Sequence, residues 1–227
     1  MNKHMARARI EEVGIIPSLR PTSVDGARFA AHAIILAGIP ILEITAAGPH
    51  TPDVIADLLR AFPTLVVGVG SVLDLATAQH CVDAGALFIA SHLTDPDVIH
   101  FASTHSVLVL PGAMTPTEVL TATRLGADLV RVFPCAQLGG GSYIRALKGP
   151  FPQAALVAAG GVNQHTAADL IHAGATAISV GQELIPRRAV DEREVTWITE
   201  LARRFVTIVS ATREERRALR REEHAAL

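Results

Sequence analysis

Short, nearly continuous apolar runs alternate along this chain with stretches whose apolar residues recur at helical spacing. The runs are Val13–Leu19, Ile41–Thr45, Leu65–Gly70, Leu87–Ser91, Val107–Pro111, Leu129–Phe133, Ala155–Ala159 and Ala177–Val180. They are rich in Val, Ile and Leu and do not alternate with polar residues, the pattern of parallel strands covered on both faces. Helix-start signals stand between them. Ser23-Val24-Asp25 precedes Ala27–Ala37, Thr51-Pro52-Asp53 precedes Val54–Arg60, Asp95-Pro96-Asp97 precedes Val98–Ser103, and Thr115-Pro116-Thr117-Glu118 precedes Val119–Arg124. Each offers a capping side chain or a first-turn proline where helix N–H groups have no partner. Gly38, Gly85, Gly126 and Gly174 supply the matching stops.

Strand and helix alternating eight times predicts an α/β fold, a (β/α)8 TIM barrel occupying residues 1–227 as one domain. An open doubly wound sheet has fewer strands and usually an early glycine-rich fingerprint, which this chain lacks. From about Asp191 the chain reads as a C-terminal helix, amphipathic over Trp197–Val209 and then densely charged from Arg213, which predicts a solvated helix. The N-terminal residues carry no such pattern and are expected to be mobile.

Composition narrows the functional classes. A net charge of −2 gives no electrostatic case for nucleic acid or an anionic membrane as partner. The start of the chain lacks the apolar core of a secretory signal, and no uncharged run is long enough to span a bilayer. Two cysteines, Cys81 and Cys135, make no disulfide framework, so a reducing cytoplasm is the expected location. Of 20 basic residues only Lys3 and Lys148 are lysines. Genome composition is the plain reading of that bias, but it leaves few amines for covalent chemistry.

In a barrel of this kind the functional residues sit where strands end. Arg131 lies in the middle of the sixth predicted strand and Glu43 in the middle of the second, and a charge buried in an apolar strand is costly unless it faces a site. Glu43 suits proton transfer. Arg20 ends the first strand, where it could clamp a carboxylate or phosphate, or lie on the surface. Ser71, His92 and Pro111 follow or end later strands. Gly160-Gly161 and Gly181-Gln182 follow the last two strands, where backbone N–H groups can cradle a phosphate. Cys135 reads as a small apolar residue rather than a nucleophile. A metal site would have to combine Glu43 and His92, with His50, but no two histidines show metal-site spacing, so neither metal nor cofactor is expected.

Several segments together resemble the KDPG aldolase / 4-hydroxy-2-oxoglutarate aldolase family. They are Leu42-Glu43-Ile44-Thr45, Val67-Gly-Val-Gly-Ser-Val72, Pro111-Gly-Ala-Met-Thr-Pro-Thr-Glu118, Val132-Phe133-Pro134, Tyr143 through Pro152, and Gly160-Gly161-Val162. The resemblance runs from about Ile15 to Pro186. It implies a small barrel, a homotrimer, and cleavage of a 2-keto-4-hydroxy acid to pyruvate and an aldehyde. The small-molecule partner would be a keto acid or phosphorylated sugar acid. It further implies a Schiff base on a strand-6 lysine with a strand-2 glutamate moving protons. Glu43 matches the glutamate, Ser71 replaces a threonine of the Gly-x-Gly-Thr motif, and Arg20 matches an arginine many members carry.

Other positions depart from that pattern. The lysine position is Arg131, whose guanidinium stays protonated and is no useful nucleophile toward a ketone. The Thr-Gly-Gly of the seventh strand reads Ala159-Gly160-Gly161. The Gly-Ser of the last phosphate loop reads Gly181-Gln182. The Ser-Pro-x-Leu after the fourth strand reads Ser91-His92-Leu93, and Ala47 stands where some members have an arginine. The expected protein is therefore an aldolase-family member deficient in Schiff-base chemistry. The alternatives are a repurposed enzyme with Glu43 as base and Arg131 as anion clamp, and a non-catalytic ligand-binding protein.

Overall fold

The computed structural model of the protein describes residues 2–225. In chain order the elements are α1 (Lys3–Val13), β1 (Ile15–Leu19), α2 (Val24–Leu36), β2 (Ile41–Thr45), α3 (Thr51–Ala61), β3 (Val66–Gly70), α4 (Leu75–Asp83), β4 (Phe88–Ala90), α5 (Pro96–Thr104), β5 (Leu108–Leu110) and β6 (Gly112–Ala113). There follow α6 (Pro116–Arg124), β7 (Val130–Val132), α7 (Gly141–Lys148), β8 (Leu156–Ala159), α8 (Gln164–His172), β9 (Ala177–Val180), α9 (Arg187–Asp191) and α10 (Val195–Ala225).

The strands are parallel and run in the order β5-β4-β3-β2-β1-β9-β8-β7-β6. The two end strands, β5 and β6, are consecutive in the chain and separated only by Pro111. Together they take the place of the fifth predicted strand. Leu110 O accepts from Ser91 N–H at 3.0 Å on the β4 side, while Pro111 O accepts from Arg131 N–H at 2.8 Å on the β7 side. The backbone thus turns its carbonyls to opposite neighbours on either side of a residue that has no N–H, and the ring closes at that seam.

The helix-start signals act as expected at α2, α5 and α6. Ser23 accepts from Gly26 N–H at 2.9 Å, Asp95 from Asp97 and Val98, and Thr115 forms a capping box with Glu118. At α3 the helix begins one residue early. His50 stands at the cap without a side-chain bond, and the Thr51 hydroxyl donates to Gly48 O at 2.9 Å. The four glycine stops all take left-handed backbone angles.

The N-terminus departs from expectation. Instead of a mobile segment it forms α1, capped by Asn2 and ended by Gly14. Ala6 and Ile10 are fully buried, and Lys3 pairs with Asp128 at 3.0 Å, just before β7. These contacts lay α1 across the end of the barrel where strands begin. Its low apolar content concealed it, because two buried side chains are enough to anchor eleven residues.

The C-terminal helix is divided. A short α9 precedes the long α10, which packs Ile198, Ala202, Phe205 and Val209 against α2 and α8. Its charged continuation is not wholly solvated. Arg213 donates to Glu12 O and Thr176 O, each at 2.6 Å, and Arg216 to Ile171 O at 3.1 Å. Guanidinium groups satisfy carbonyls at strand and helix ends there, which charge spacing alone does not reveal. No helix among the described residues is long and apolar enough to cross a membrane.

Ile10→Ala is expected to destabilise the protein by about 2–5 kcal/mol in urea unfolding. Met5→Ala, on the exposed side of the same helix, should cost no more than about 0.5 kcal/mol.

Candidate active site

β2 and β7 lie on opposite sides of the ring, and each carries a charge at its central position, Glu43 and Arg131. The side chains meet across the barrel interior. Arg131 Nη1 donates to Glu43 Oε1 at 3.2 Å, and Nη2 donates to Oε2 in the second arm of a bidentate contact. Both side chains are no more than 3% exposed. Ser18, paired with Glu43 in the β1–β2 ladder, donates its hydroxyl to Oε1 at 3.1 Å. Arg131 Nε has no hydrogen-bond partner among the described residues.

Space for the carboxylate comes from Gly70. A Cβ there would lie 2.0 Å from Glu43 Oε1, so any side chain at the end of β3 would displace the acid. That gives the Val67-Gly-Val-Gly-Ser motif a physical reason. Gly112 has a comparable one. The loop after β4 crosses it so closely that a Cβ would lie 2.1 Å from the His92 carbonyl carbon, and Gly112 N–H donates to Leu93 O at 3.0 Å.

The pair borders a cavity of about 280 Å3 at the strand C-terminal ends. Ser71, His92, Ala159, Gly160, Gly161, Gly181 and Gln182 line it with Glu43 and Arg131, so most of the sequence-derived candidates converge. Ser71 holds a left-handed φ of 58°, a conformation costing a serine about 1–3 kcal/mol. The His92 ring stacks on Phe133 with centroids 4.2 Å apart. Burial, and then the charge of Arg131, push the His92 pKa below its ordinary 6.5, with Glu43 acting in the opposite direction. Other cavities of similar or larger size occur, around Gly48 and Asp74 and around Pro21 and His50, but neither contains a buried ion pair.

Two candidates fall elsewhere. Arg20 is exposed and lines a separate cavity of about 100 Å3 with Arg187 and Asp191, because it lies past the end of β1. Pro111 is buried in the seam between β5 and β6 and does not line the main cavity. Ser18, Ser179 and Glu183 line the cavity and escaped the sequence reading. Ser18 and Ser179 carry the same signal that marked Glu43, a polar residue within an apolar strand. Glu183 lies one residue past the glycine-glutamine pair that drew attention.

The remaining candidates for chemistry stand apart. Cys135 is fully buried, and burial pushes its thiol pKa up to about 11. Lys148 donates to Pro152 O and Ala154 O, ahead of β8 and away from the strand ends. Lys3 is on the opposite end of the barrel. His50 lines another cleft and faces Asp53 at 3.7 Å.

The family model for KDPG and KHG aldolase matches residues 6–201. The chain belongs to the KDPG and KHG aldolase family. The 2-dehydro-3-deoxy-phosphogluconate aldolase of Treponema pallidum is 28% identical over 200 residues, covering 88% of this chain and 95% of that protein. The enzyme of the same name from Pseudomonas aeruginosa is 30% identical over 173 residues, covering 76% and 79%. Among solved structures, a Legionella pneumophila KDPG aldolase with pyruvate captured as a covalent carbinolamine superposes with a TM-score of 0.81. It has 25% identity over 87% of this chain and 96% of that one. The barrel fold expected from the sequence is that of these aldolases.

Removing one partner of the buried pair leaves an uncompensated charge. Glu43→Leu should therefore cost about 3–5 kcal/mol, while adding Arg131→Met should recover most of that loss, as read by a double-mutant cycle in urea. The depressed pKa of His92 means the unfolded chain binds its proton more readily. Its contribution to stability is present above pH 6.5 and lost as pH falls toward the folded value. His92→Phe should flatten the decline in stability on acidification, measured by unfolding midpoints across that range.

Proposed function

We propose that the protein binds a 2-oxo acid at the Glu43–Arg131 pair and acts on it without forming a Schiff base. The observation that carries this reading is the guanidinium at the centre of β7, buried and in bidentate contact with the carboxylate of β2. A guanidinium does not add to a ketone, but it is a fixed cation able to take the charge of an enolate. In this reading Glu43 releases one arm of Arg131 when ligand binds. It then accepts the proton from C3 of the oxo acid as the electron pair moves onto the C2 oxygen beside Arg131. The Arg131 Nε–H, without a partner among the described residues, supports the reading as a donor for a ligand oxygen.

One observation favours a second reading. Glu43 Oε1 already accepts from both Ser18 and Arg131, so the base is engaged at rest, as suits a ligand-binding protein without turnover. Such a protein would be stabilised by ligand and would exchange no protons.

The reading includes a cytoplasmic homotrimer. Leu73, Leu93 and Met114 support the trimer, exposed at 59%, 40% and 44% on the loops after β3, β4 and β6. Light scattering coupled to gel filtration should give a mass near three chains.

Borohydride reduction in the presence of pyruvate is expected to leave the mass of the protein unchanged, and a trapped adduct would overturn the proposal. Arg131→Lys should acquire such an adduct, because it places an amine beside Glu43. Deuterium exchange at C3 of pyruvate, followed by NMR, should proceed with the wild type and fall about 100-fold in Glu43→Gln. Ligand-induced stabilisation with no exchange would select the non-catalytic reading.

A further inference from the structure

Glu43 and His92 both bring a proton-accepting group to the cavity lining, and they differ in what already holds it. Both oxygens of Glu43 are engaged, by Arg131 and by Ser18. Neither ring nitrogen of His92 has a hydrogen bond among the described residues.

The position of His92 is fixed from two directions. Ser91 donates its hydroxyl to Val72 O at 2.6 Å and Thr94 donates to Gly112 O at 2.8 Å, so the loop after β4 is held on both sides of it. The imidazole then stacks on Phe133. Phe133 stands two residues past Arg131, with its N–H still bonded to Ala113 O at 3.2 Å, so the two side chains share a face of the chain. Its ring lies against Gly160, where a Cβ would come within 2.9 Å of Phe133 Cδ2. Stacking on that ring places the imidazole in the lining, on the mouth side of Arg131. The charges that act on it are Arg131 and, in the opposite sense, Glu43; Glu183 is the remaining ionisable residue of the lining. Burial and Arg131 keep the imidazole neutral at pH 7, so one nitrogen is able to take a proton. The residue also stays open to solvent, which gives that proton a way out.

We infer that His92 accepts the proton of a hydroxyl at C4 of a 4-hydroxy-2-oxo acid, so that the site cleaves the C3–C4 bond without a Schiff base. The hydroxyl proton passes to the free imidazole nitrogen as C4 becomes an aldehyde carbon. The electron pair of the C3–C4 bond forms a C2–C3 double bond and displaces the C2 carbonyl pair onto its oxygen, giving an enolate beside Arg131. A proton then reaches C3 by way of Glu43, matching the one taken from the C4 oxygen and released to solvent, and the protein ends unchanged. The inference rests on the 2-oxo acid reading above and adds a second proton-transfer group to the same site.

Pyruvate release from 4-hydroxy-2-oxoglutarate and deuterium exchange at C3 of pyruvate, run on the same preparations, test it. His92→Phe keeps an aromatic ring on Phe133 and should slow release about 100-fold, at least tenfold more than it slows exchange. For the wild type, kcat/KM of release should rise with pH through an apparent pKa below 6.5, and that limb should vanish in His92→Gln. Release and exchange falling in step in both variants overturns the inference, as does a limb that persists in His92→Gln. Exchange without any release by the wild type overturns the inference while leaving the 2-oxo acid reading intact. Absence of exchange removes proton transfer from that reading and the inference with it.

Discussion

A guanidinium and a carboxylate, each taken out of water and held by the other across the barrel, set the terms for the surrounding site. Neither charge could stay buried alone, since desolvating an unpaired ion costs several kcal/mol. The two strands that carry them lie diametrically opposed, so the pair ties together two strands that share no ladder. Gly70 leaves the acid its space, and Ser18 fixes one of its oxygens from the neighbouring strand. The β7 strand that holds the cation is itself attached, through Arg131 N–H, to the carbonyl of Pro111 at the seam. Site and closure of the barrel therefore share residues.

Family membership rests on the whole barrel, while the buried pair is a feature of two positions. The relatives fix the scaffold, and one of the solved neighbours holds pyruvate covalently. Here the central strand position is occupied by a group that cannot make such a bond, and the two lysines of the chain support structure elsewhere. Lys3 joins α1 to Asp128, and Lys148 closes the turn ahead of β8.

Apolar runs of parallel-strand character and first-turn caps made the barrel legible in the sequence, since both depend on local composition. The buried charges at Glu43 and Arg131 were visible for the same reason, standing out against Val and Ile. What the sequence concealed depends on long-range placement. α1 is anchored by two small contacts that no amphipathic pattern announces. Pro111 looked like a strand-end residue but is a seam. Arg20 lies past the end of β1 and turns to a neighbouring cavity. Ser18 showed the same polar interruption as Glu43, but its neutral side chain drew less notice.

The pairing of β1 with β9 also has a consequence in time. Ile15 lies opposite Ile178, so the first strand has no partner on one side until the chain is nearly complete. At a synthesis rate of about 5–20 residues per second, that edge waits on the order of ten seconds. Its partner on the other side, β2, is available early and can shield it meanwhile. Arg213 then joins Glu12 and Thr176 only after α10 emerges, so the contact that fastens the end of α1 is among the last the ribosome makes possible.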